Sequence, residues 1–443
     1  MQEIDTLLHA KWIIPVQPDQ VALENHSLVV HNGRIVDLLP RQECALRYQA
    51  DTVVALDSHA LIPGLINAHT HAAMTLLRGL ADDMPLMAWL EDHIWPAEMR
   101  WVNEEFVQCG TQLAMAEMLR GGISCFNDMY YFPDVVARTA VAAGMRACVG
   151  LIVVDFPTNW ANDPEEYISK GLAVHDQYRS NPLVRTAFAP HAPYTVSDQP
   201  LKRIGILANE LEIPIHIHVH ETAHEVEQAV AKTGMRPLER LNNLGLLSPA
   251  LLAVHMTQLT SKDIEIFAAS GARLVHCPES NIKLASGLCP VQKLEQAGIL
   301  VALGTDGAAS NNNLDLFGEM RTAALLGKAI SNDASALPAH QVLRMATLHG
   351  AIALGIGEET GSLVPGKWAD ITAVRMDEVE TQPVYHPISQ LVYATGREHV
   401  TDVWIAGRQL LKERQLTTLD VQDILHKTRV WQARIADSDS TQH

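Results

Sequence analysis

Short apolar runs and longer helical patterns follow one another through the middle of the chain, from about residue 59 to residue 359. The apolar runs predict strands, and the segments between most of them repeat their apolar positions with the period of an α-helix. The candidate strands span 61–69, 123–129, 146–154, 184–190, 213–219, 251–256, 272–278 and 299–306. Strands that alternate with helices pair in parallel, and eight such units favour a closed (β/α)₈ barrel over the alternative, an open doubly wound sheet.

Both ends of the chain show a different pattern, with short strands separated by glycine-containing turns. Asn32-Gly33 is typical of a hairpin turn between two strands. We therefore predict an α/β fold in which residues 1–58 and 360–420 form one small composite β-sandwich domain. Residues 59–359 form the TIM-type barrel domain, and residues 421–443 form a C-terminal helix and a polar tail.

The composition narrows the classes of partner. The chain has 443 residues, of which 47% are hydrophobic, and its formal net charge is -18. Such a surface repels nucleic-acid phosphates and anionic membranes, so we expect neither as a partner. The six cysteines form no CxxC pair, the N-terminus does not resemble a signal peptide, and no apolar run is long enough to span a bilayer. These features predict a cytoplasmic protein and leave open whether its copies assemble into a homo-oligomer.

Histidine is the outlier in the composition, with 21 residues, and several lie at the C-terminal ends of predicted strands. Barrel enzymes carry their catalytic groups at these ends. His69 and His71 close the first strand, and side chains two residues apart on a strand point the same way, so these imidazoles could share a metal ion. Asp306 ends the eighth strand. Alone it would more often be a helix cap or a turn residue, but beside the histidines it becomes a candidate ligand.

The fifth strand has the clearest pattern. The run IPIHIHVHE places four apolar side chains on one face and His216, His218 and His220 on the other. A barrel interior normally packs branched apolar residues, so histidines there indicate a function. Spacing alone does not decide which of the three binds a metal. Glu221 ends this run, where a carboxyl could transfer a proton; the alternative is a surface glutamate at a helix N-terminus.

The segment 220–224, HETAH, also matches the HExxH signature of zinc metalloproteases. That motif binds a metal only on a helix, where residues four apart share a face. Here the segment continues a run with the period of a strand, and the protease interpretation leaves His69, His71 and Asp306 unexplained. The PCxxC ligands of another zinc-deaminase scaffold are absent from the sequence.

Four motifs together resemble the amidohydrolase superfamily, and within it the branch of 5′-methylthioadenosine/S-adenosylhomocysteine deaminases and related chlorohydrolases. They are PGLINAHTHAAMTLLRG, HVHETAHE, HCPESNIKLASG and GTDGAASNNNLD. The resemblance covers nearly the whole chain and implies one zinc ion per chain, with ligands His69, His71, His218 and Asp306. The family's His-x-x-Glu pattern selects His218, because it pairs that residue with Glu221. Binuclear members carry a bridging lysine where this chain has His191, so a single metal is implied.

The resemblance also implies roles in catalysis and binding. Asp306 takes a proton from the attacking water, Glu221 protonates N1 of an adenine ring, and His255 holds the attacking oxygen. The residues implied to contact the nucleoside are Trp89, Glu98, His191, Glu221 and Ser310. The predicted reaction is zinc-dependent hydrolytic deamination at C6, with a small-molecule nucleoside as substrate.

The substrate prediction rests on one departure from the family. Relatives that accept S-adenosylhomocysteine use arginines after the third strand, whereas this chain has none between Arg146 and Arg179. Phe156, Pro157 and Trp160 offer apolar surface there instead. We therefore predict conversion of 5′-methylthioadenosine to 5′-methylthioinosine, with S-adenosylhomocysteine as a second candidate. The alternatives are another reaction at the same site, such as guanine or triazine deamination or dechlorination, and a non-catalytic binding scaffold.

Overall fold

Two eight-stranded sheets organise residues 1–439, the part of the chain that this computed structural model describes. The strands are, in chain order, β1 (Gln2–Ile13), β2 (Leu23–His31), β3 (Arg34–Pro40), β4 (Tyr48–Pro63), β5 (Leu65–Thr70), β6 (Ile123–Asp128), β7 (Arg146–Val153), β8 (Val184–Pro190), β9 (Ile215–Val219), β10 (Leu251–His255), β11 (Arg273–His276), β12 (Val301–Leu303), β13 (Ile371–Arg375), β14 (Val400–Ile405), β15 (Arg408–Lys412) and β16 (Gln415–Leu416).

Helices connect most of these strands. They are, in chain order, α1 (Arg41–Arg47), α2 (Leu86–Trp89), α3 (Trp95–Trp101), α4 (Glu104–Arg120), α5 (Pro133–Ala143), α6 (Pro164–Tyr178), α7 (Asp198–Leu211), α8 (Ala223–Thr233), α9 (Pro237–Asn243), α10 (Ser261–Ser270), α11 (Pro278–Lys283), α12 (Val291–Gln296), α13 (Ala308–Asn311), α14 (Leu316–Ser331), α15 (Ala339–Met345), α16 (Leu348–Ala353), α17 (Pro387–Tyr393) and α18 (Val421–Asp439). A π-helical turn, Leu90–Ile94, joins α2 to α3.

Strands β5 to β12 lie side by side in sequence order and form the barrel. The ends of this sheet meet where the backbone N–H of Asp306 donates to the carbonyl of His69 at 3.0 Å. Gly304 permits the close approach, since a Cβ at this position would lie 2.8 Å from the backbone nitrogen of His69. The predicted (β/α)₈ barrel is confirmed.

Most barrel strands are shorter than the sequence pattern predicted, and β9 and β12 illustrate the reasons. β9 begins only after Pro214. The N–H of Ile213 donates to the carbonyl of Ala208 near the end of α7, and Pro214 has no N–H to donate to a neighbouring strand. β12 ends well before Asp306, whose φ of +61° is left-handed and cannot continue a strand. In both places an apolar run extends beyond the part of the chain that pairs in the sheet.

Both ends of the chain contribute to the second sheet, whose order is β16-β15-β14-β13-β4-β1-β2-β3. β4 joins the two contributions, because it pairs in parallel with β1 and antiparallel with β13. The apolar core against this sheet includes Leu8, Leu28, Leu61, Ile371 and Trp404. The prediction of a β module made from both termini is confirmed.

The chain divides into two compact units. One contains residues 1–67, 117–125 and 315–418, and the other contains residues 68–116, 126–314 and the segment from residue 419. Helix α18 belongs to the second unit, where the Trp431 ring lies 5.3 Å from the Phe106 ring. The predicted domain limits stay a prediction, and the end of the predicted polar tail, 440–443, lies outside the described residues.

Across residues 1–439, no helix combines the length and the apolar character that crossing a bilayer requires.

Candidate active site

Four polar side chains converge at the C-terminal end of the barrel. His69 lies on β5 and His218 on β9, while His71 and Asp306 follow β5 and β12. One nitrogen or carboxylate oxygen from each residue lies within 4.8 Å of the other three. The Nε2 atoms of His69 and His71 both lie 3.2 Å from Oδ1 of Asp306. These four residues are called the metal cluster below.

Backbone carbonyls determine which nitrogen of two histidines faces the metal cluster. Nδ1 of His71 lies 2.6 Å from the carbonyl oxygen of Met129, and Nδ1 of His218 lies 2.7 Å from that of His191. A carbonyl only accepts, so each Nδ1 carries the proton and each Nε2 presents a lone pair. Three imidazole nitrogens and one carboxylate oxygen are a donor set typical of zinc, so these residues fit a zinc ion.

The three histidines of the fifth barrel strand have different surroundings. His218 belongs to the metal cluster, whereas His216 lies behind His69, with its Nε2 2.9 Å from Nδ1 of His69. His220 follows the strand with a left-handed φ of +53°, and its Nε2 accepts the N–H of Leu238 at 3.1 Å. The expectation that His220 faces the lumen is therefore wrong, because β9 ends before it.

The same local geometry excludes the HExxH interpretation. Helix α8 begins at Ala223, so His220 and Glu221 lie outside it, while His224 is exposed on its first turn. The two histidines do not share a helix face, and neither belongs to the metal cluster.

Glu221 and His255 line the same cavity as His71, His218 and Asp306 of the metal cluster. Both are buried, and Oε2 of Glu221 lies 3.8 Å from Nε2 of His255. Burial raises the pKa of the Glu221 carboxyl, against the opposing effect of His255, which favours the protonated form that can donate a proton. The backbone N–H groups of His220 and Glu221 donate to the Glu225 carboxylate at 3.0 and 2.7 Å, which fixes the turn that carries Glu221.

The two oxygens of Asp306 have different partners. Oδ1 faces the histidines, while Oδ2 accepts hydrogen bonds from the hydroxyls of Ser280 at 2.6 Å and Ser310 at 3.0 Å. Ser280 was missed by the sequence reasoning, as was Asn281, whose Oδ1 lies 2.8 Å from Nδ1 of His255. Both belong to the motif HCPESN, and the signal for them was a Ser-Asn pair directly after a strand whose end faces the site.

A cavity opens onto the metal cluster and is lined by the predicted substrate contacts Trp89, Glu98, His191 and Ser310. Trp89 and Glu98 are buried on α2 and α3. Burial raises the pKa of the Glu98 carboxyl to about 7. Burial lowers the pKa of His191 to about 3, so its imidazole is neutral. The structure brings these residues together, and their contacts with a nucleoside stay a prediction.

A smaller cavity shares Trp95, Glu98 and Tyr131 with the first. Its other apolar lining residues are Met99, Val102, Phe132 and Phe156. The Phe156 ring lies 6.3 Å from the Trp95 ring. No lysine or arginine among the described residues lines either cavity.

Known proteins share both the sequence and the fold of this chain. The model of the amidohydrolase family matches residues 60–410. The chain belongs to the amidohydrolase family. It is 50% identical over 432 residues to a Teredinibacter turnerae protein named 5-methylthioadenosine/S-adenosylhomocysteine deaminase, with 98% of each chain covered. A protein of the same name from Saccharophagus degradans is 51% identical over 431 residues, with 97% of each chain covered. These matches confirm the resemblance and identify the chain as a hydrolase.

Solved structures show the same architecture. The structure of an adenosine deaminase from Xanthomonas campestris with bound zinc is 51% identical and matches with a TM-score of 0.97, covering 98% of this chain and 99% of that one. The atrazine chlorohydrolase from Arthrobacter aurescens, complexed with zinc, matches with a TM-score of 0.90 over 96% of this chain and 100% of that one. At 22% identity, the second match shows the fold alone.

Proposed function

We propose that this chain is a zinc-dependent deaminase that removes the 6-amino group of an adenine nucleoside, with 5′-methylthioadenosine as its preferred substrate. One observation carries the proposal: a single cavity is lined by three residues of the metal cluster (His71, His218 and Asp306) together with the buried carboxyls of Glu221 and Glu98. The names of the relatives that are about half identical support the same reaction. One zinc ion per chain is supported by the single cluster found in residues 1–439 and by the zinc bound to the Xanthomonas campestris relative.

A zinc ion held by the metal cluster would supply Lewis-acid chemistry, which makes water nucleophilic near neutral pH. Asp306 accepts one proton of the water as its oxygen attacks C6, and Glu221 donates a proton to ring N1. His255 holds the attacking oxygen. The proton on Asp306 then passes to the amino group, which leaves as ammonia, and the second proton of the water returns Glu221 to its acid form. The ring keeps the oxygen at C6 and the proton at N1.

The nucleoside is oriented by the residues farther from the metal cluster. Glu98 and His191 contact the ribose hydroxyls, and Trp89 packs beside the nucleoside. Ser310 completes the binding residues next to Asp306. A carboxylate buried in an apolar wall is costly unless it is hydrogen-bonded, so hydroxyl donors from a ribose suit Glu98.

The smaller cavity suits the substituent at the 5′ position. It adjoins the first cavity at Glu98, where the ribose would lie, and its walls are mostly apolar. A methylthio group buried there gains roughly 0.8 kcal/mol for each CH₂-sized unit. The amino-acid tail of S-adenosylhomocysteine would find no lysine or arginine among the described lining residues, and its carboxylate would approach the Glu98 carboxyl.

The proposal is tested by measuring ammonia release from 5′-methylthioadenosine, S-adenosylhomocysteine, adenosine, guanine and a chlorotriazine. We expect 5′-methylthioadenosine to react fastest and to give the 6-oxo product. The Glu221→Gln variant, purified in the same way, controls for a contaminating deaminase. Turnover of guanine or the triazine without turnover of adenine nucleosides would support the alternative reaction. Nucleoside binding without turnover would support a binding scaffold.

A further inference from the structure

The short helix α11 presents two consecutive polar side chains to two different groups of the proposed reaction. Ser280 and Asn281 are both buried, with 0% and 2% of their surface exposed. Ser280 contacts the carboxylate of Asp306, and Asn281 contacts the imidazole of His255.

Asn281 determines which nitrogen of His255 faces the cavity. Its Oδ1 lies 2.8 Å from Nδ1 of His255, and an amide oxygen only accepts, so Nδ1 carries the proton. With the ring proton on Nδ1, the lone pair of the Nδ1–H tautomer is on Nε2, which lies on the side of Glu221, 3.8 Å from its Oε2. A lone pair in this place accepts a hydrogen bond from the attacking water and aims its oxygen. The opposite tautomer would present an N–H instead.

Ser280 restricts the rotation of the Asp306 carboxylate. Its hydroxyl donates to Oδ2 at 2.6 Å, and the Ser310 hydroxyl donates to the same oxygen at 3.0 Å. Oδ1 faces Nε2 of His69 and His71, both at 3.2 Å, and also accepts the backbone N–H of Gly307 at 2.8 Å. The two serines thus bind Oδ2 of Asp306, so that Oδ1 is the oxygen that faces the metal cluster.

Helix α11 is held firmly enough to position these groups. The carbonyl of Ser286, just beyond the helix, accepts a hydrogen bond from Gln258 Nε2 at 2.8 Å. Gln258 follows β10, the strand that ends at His255. The helix and the histidine that it contacts are therefore tied to the same strand end.

We propose that α11 is a positioning element of the active site, in which Asn281 fixes the tautomer of His255 and Ser280 fixes the carboxylate orientation of Asp306. The proposal rests on the proposed function for its catalytic meaning. The contacts themselves can be tested without any substrate. Mutation of a residue that orients a metal ligand typically lowers activity or metal affinity by about 10- to 100-fold.

The tautomer is tested by ¹⁵N NMR of protein labelled at histidine, with the His255→Ala spectrum used to assign the His255 signals. We expect the His255 ring of the wild type to carry its proton on Nδ1. Asn281→Asp, which keeps an acceptor oxygen, should preserve this state, and Asn281→Leu should lose it. Ile282→Ala, an exposed neighbour on α11, is the matched control and should change nothing. A wild-type proton on Nε2, or an unchanged tautomer in Asn281→Leu, would overturn the proposal whether or not the protein is a deaminase.

The catalytic effect is tested with pairs of similar shape. For Asn281→Leu we expect a fall in kcat of about 10- to 100-fold at unchanged KM and metal content. In the His255→Ala background, Asn281→Leu should lower kcat hardly any further, because both substitutions remove the same contact between Asn281 and His255. Ser280→Val should lose about tenfold in kcat or metal affinity, whereas Ser280→Thr, which keeps the hydroxyl, should retain both. Equal losses of kcat in the two variants of each pair would show that α11 only packs against the site. So would effects of Asn281→Leu and His255→Ala that add fully. If the wild type deaminates no nucleoside, the proposed function fails while the NMR result still decides the positioning.

Discussion

The two walls of the main cavity are built in different ways. The metal wall comes from the ends of β5, β9 and β12, where His71 and His218 each have one ring nitrogen tied to a backbone carbonyl. The substrate wall comes from α2, the π-helical turn and α3, and it is mostly apolar around the carboxyl of Glu98. Strand ends in a barrel are fixed by their neighbours in the sheet, whereas a helical insertion can vary without disturbing it. The comparison predicts that the barrel determines the chemistry and that the helical insertion determines the selectivity.

The largest effect is expected on the metal wall. His218→Ala should abolish activity and lower the zinc content, because it removes one of four donors. His224→Ala is the matched control, since this residue is exposed on α8 and should leave both nearly unchanged. Zinc analysis and steady-state kinetics on both variants check the prediction. A greater loss in His224→Ala would revive the metalloprotease interpretation.

Glu221→Gln, on the same wall, should lower turnover without affecting metal binding. The side chain is not in the metal cluster, so zinc should stay bound while kcat falls by about 10²- to 10⁴-fold. The isosteric amide keeps the shape but cannot deliver a proton to N1. Near wild-type turnover in a zinc-replete variant would remove Glu221 from the mechanism.

The preference between substrates that the substrate wall produces should be a smaller effect than the losses of activity expected on the metal wall. We expect kcat/KM for 5′-methylthioadenosine to exceed that for S-adenosylhomocysteine by about 10- to 100-fold. Phe156→Arg should narrow this ratio, since it places a cation in the smaller cavity, with Phe156→Leu as the uncharged control. A clear preference of the wild type for S-adenosylhomocysteine would contradict the assignment of the apolar cavity to the 5′ substituent.

The smallest effect is expected at Glu98, and it depends on pH. Burial raises the pKa of this carboxyl from 4.5 to about 7, so the folded state holds its proton more tightly than the unfolded chain does. Ionisation of Glu98 therefore lowers the free energy of unfolding progressively as the pH rises from 4.5 to about 7. Above that range the loss is complete and on the order of 3 kcal/mol. Glu98→Gln should raise the Tm at pH 8 but not at pH 4, and should raise KM about tenfold. Equal changes in Tm at both pH values would show that the carboxyl is not the cause.

Residues on both walls could be named from the sequence, but the choice of His218 and the selection of Trp89 and Glu98 depended on the family resemblance rather than on spacing. Strand periodicity placed His69, His71 and His218 on suitable faces because side-chain direction in a strand depends only on the residue count. His220 escaped this rule, because nothing in the alternation shows where a strand stops pairing. Trp160 was expected to offer apolar surface after the third barrel strand, but its ring packs 5.5 Å from Tyr167 instead. Ser280 and Asn281 were missed because their contacts join elements far apart in sequence.

The position of β4 affects how the chain folds. One edge of this strand pairs with β1 directly after synthesis, while the other must wait for β13, which begins at Ile371. The whole barrel is synthesised in between, so an unpaired edge beside apolar residues such as Leu61 persists in the nascent chain. Pairings so distant in sequence form slowly, and exposed edges favour aggregation. Completion of the terminal sheet is therefore a late step, and a chain that stops before Ile371 should aggregate even though every strand of its barrel has been made.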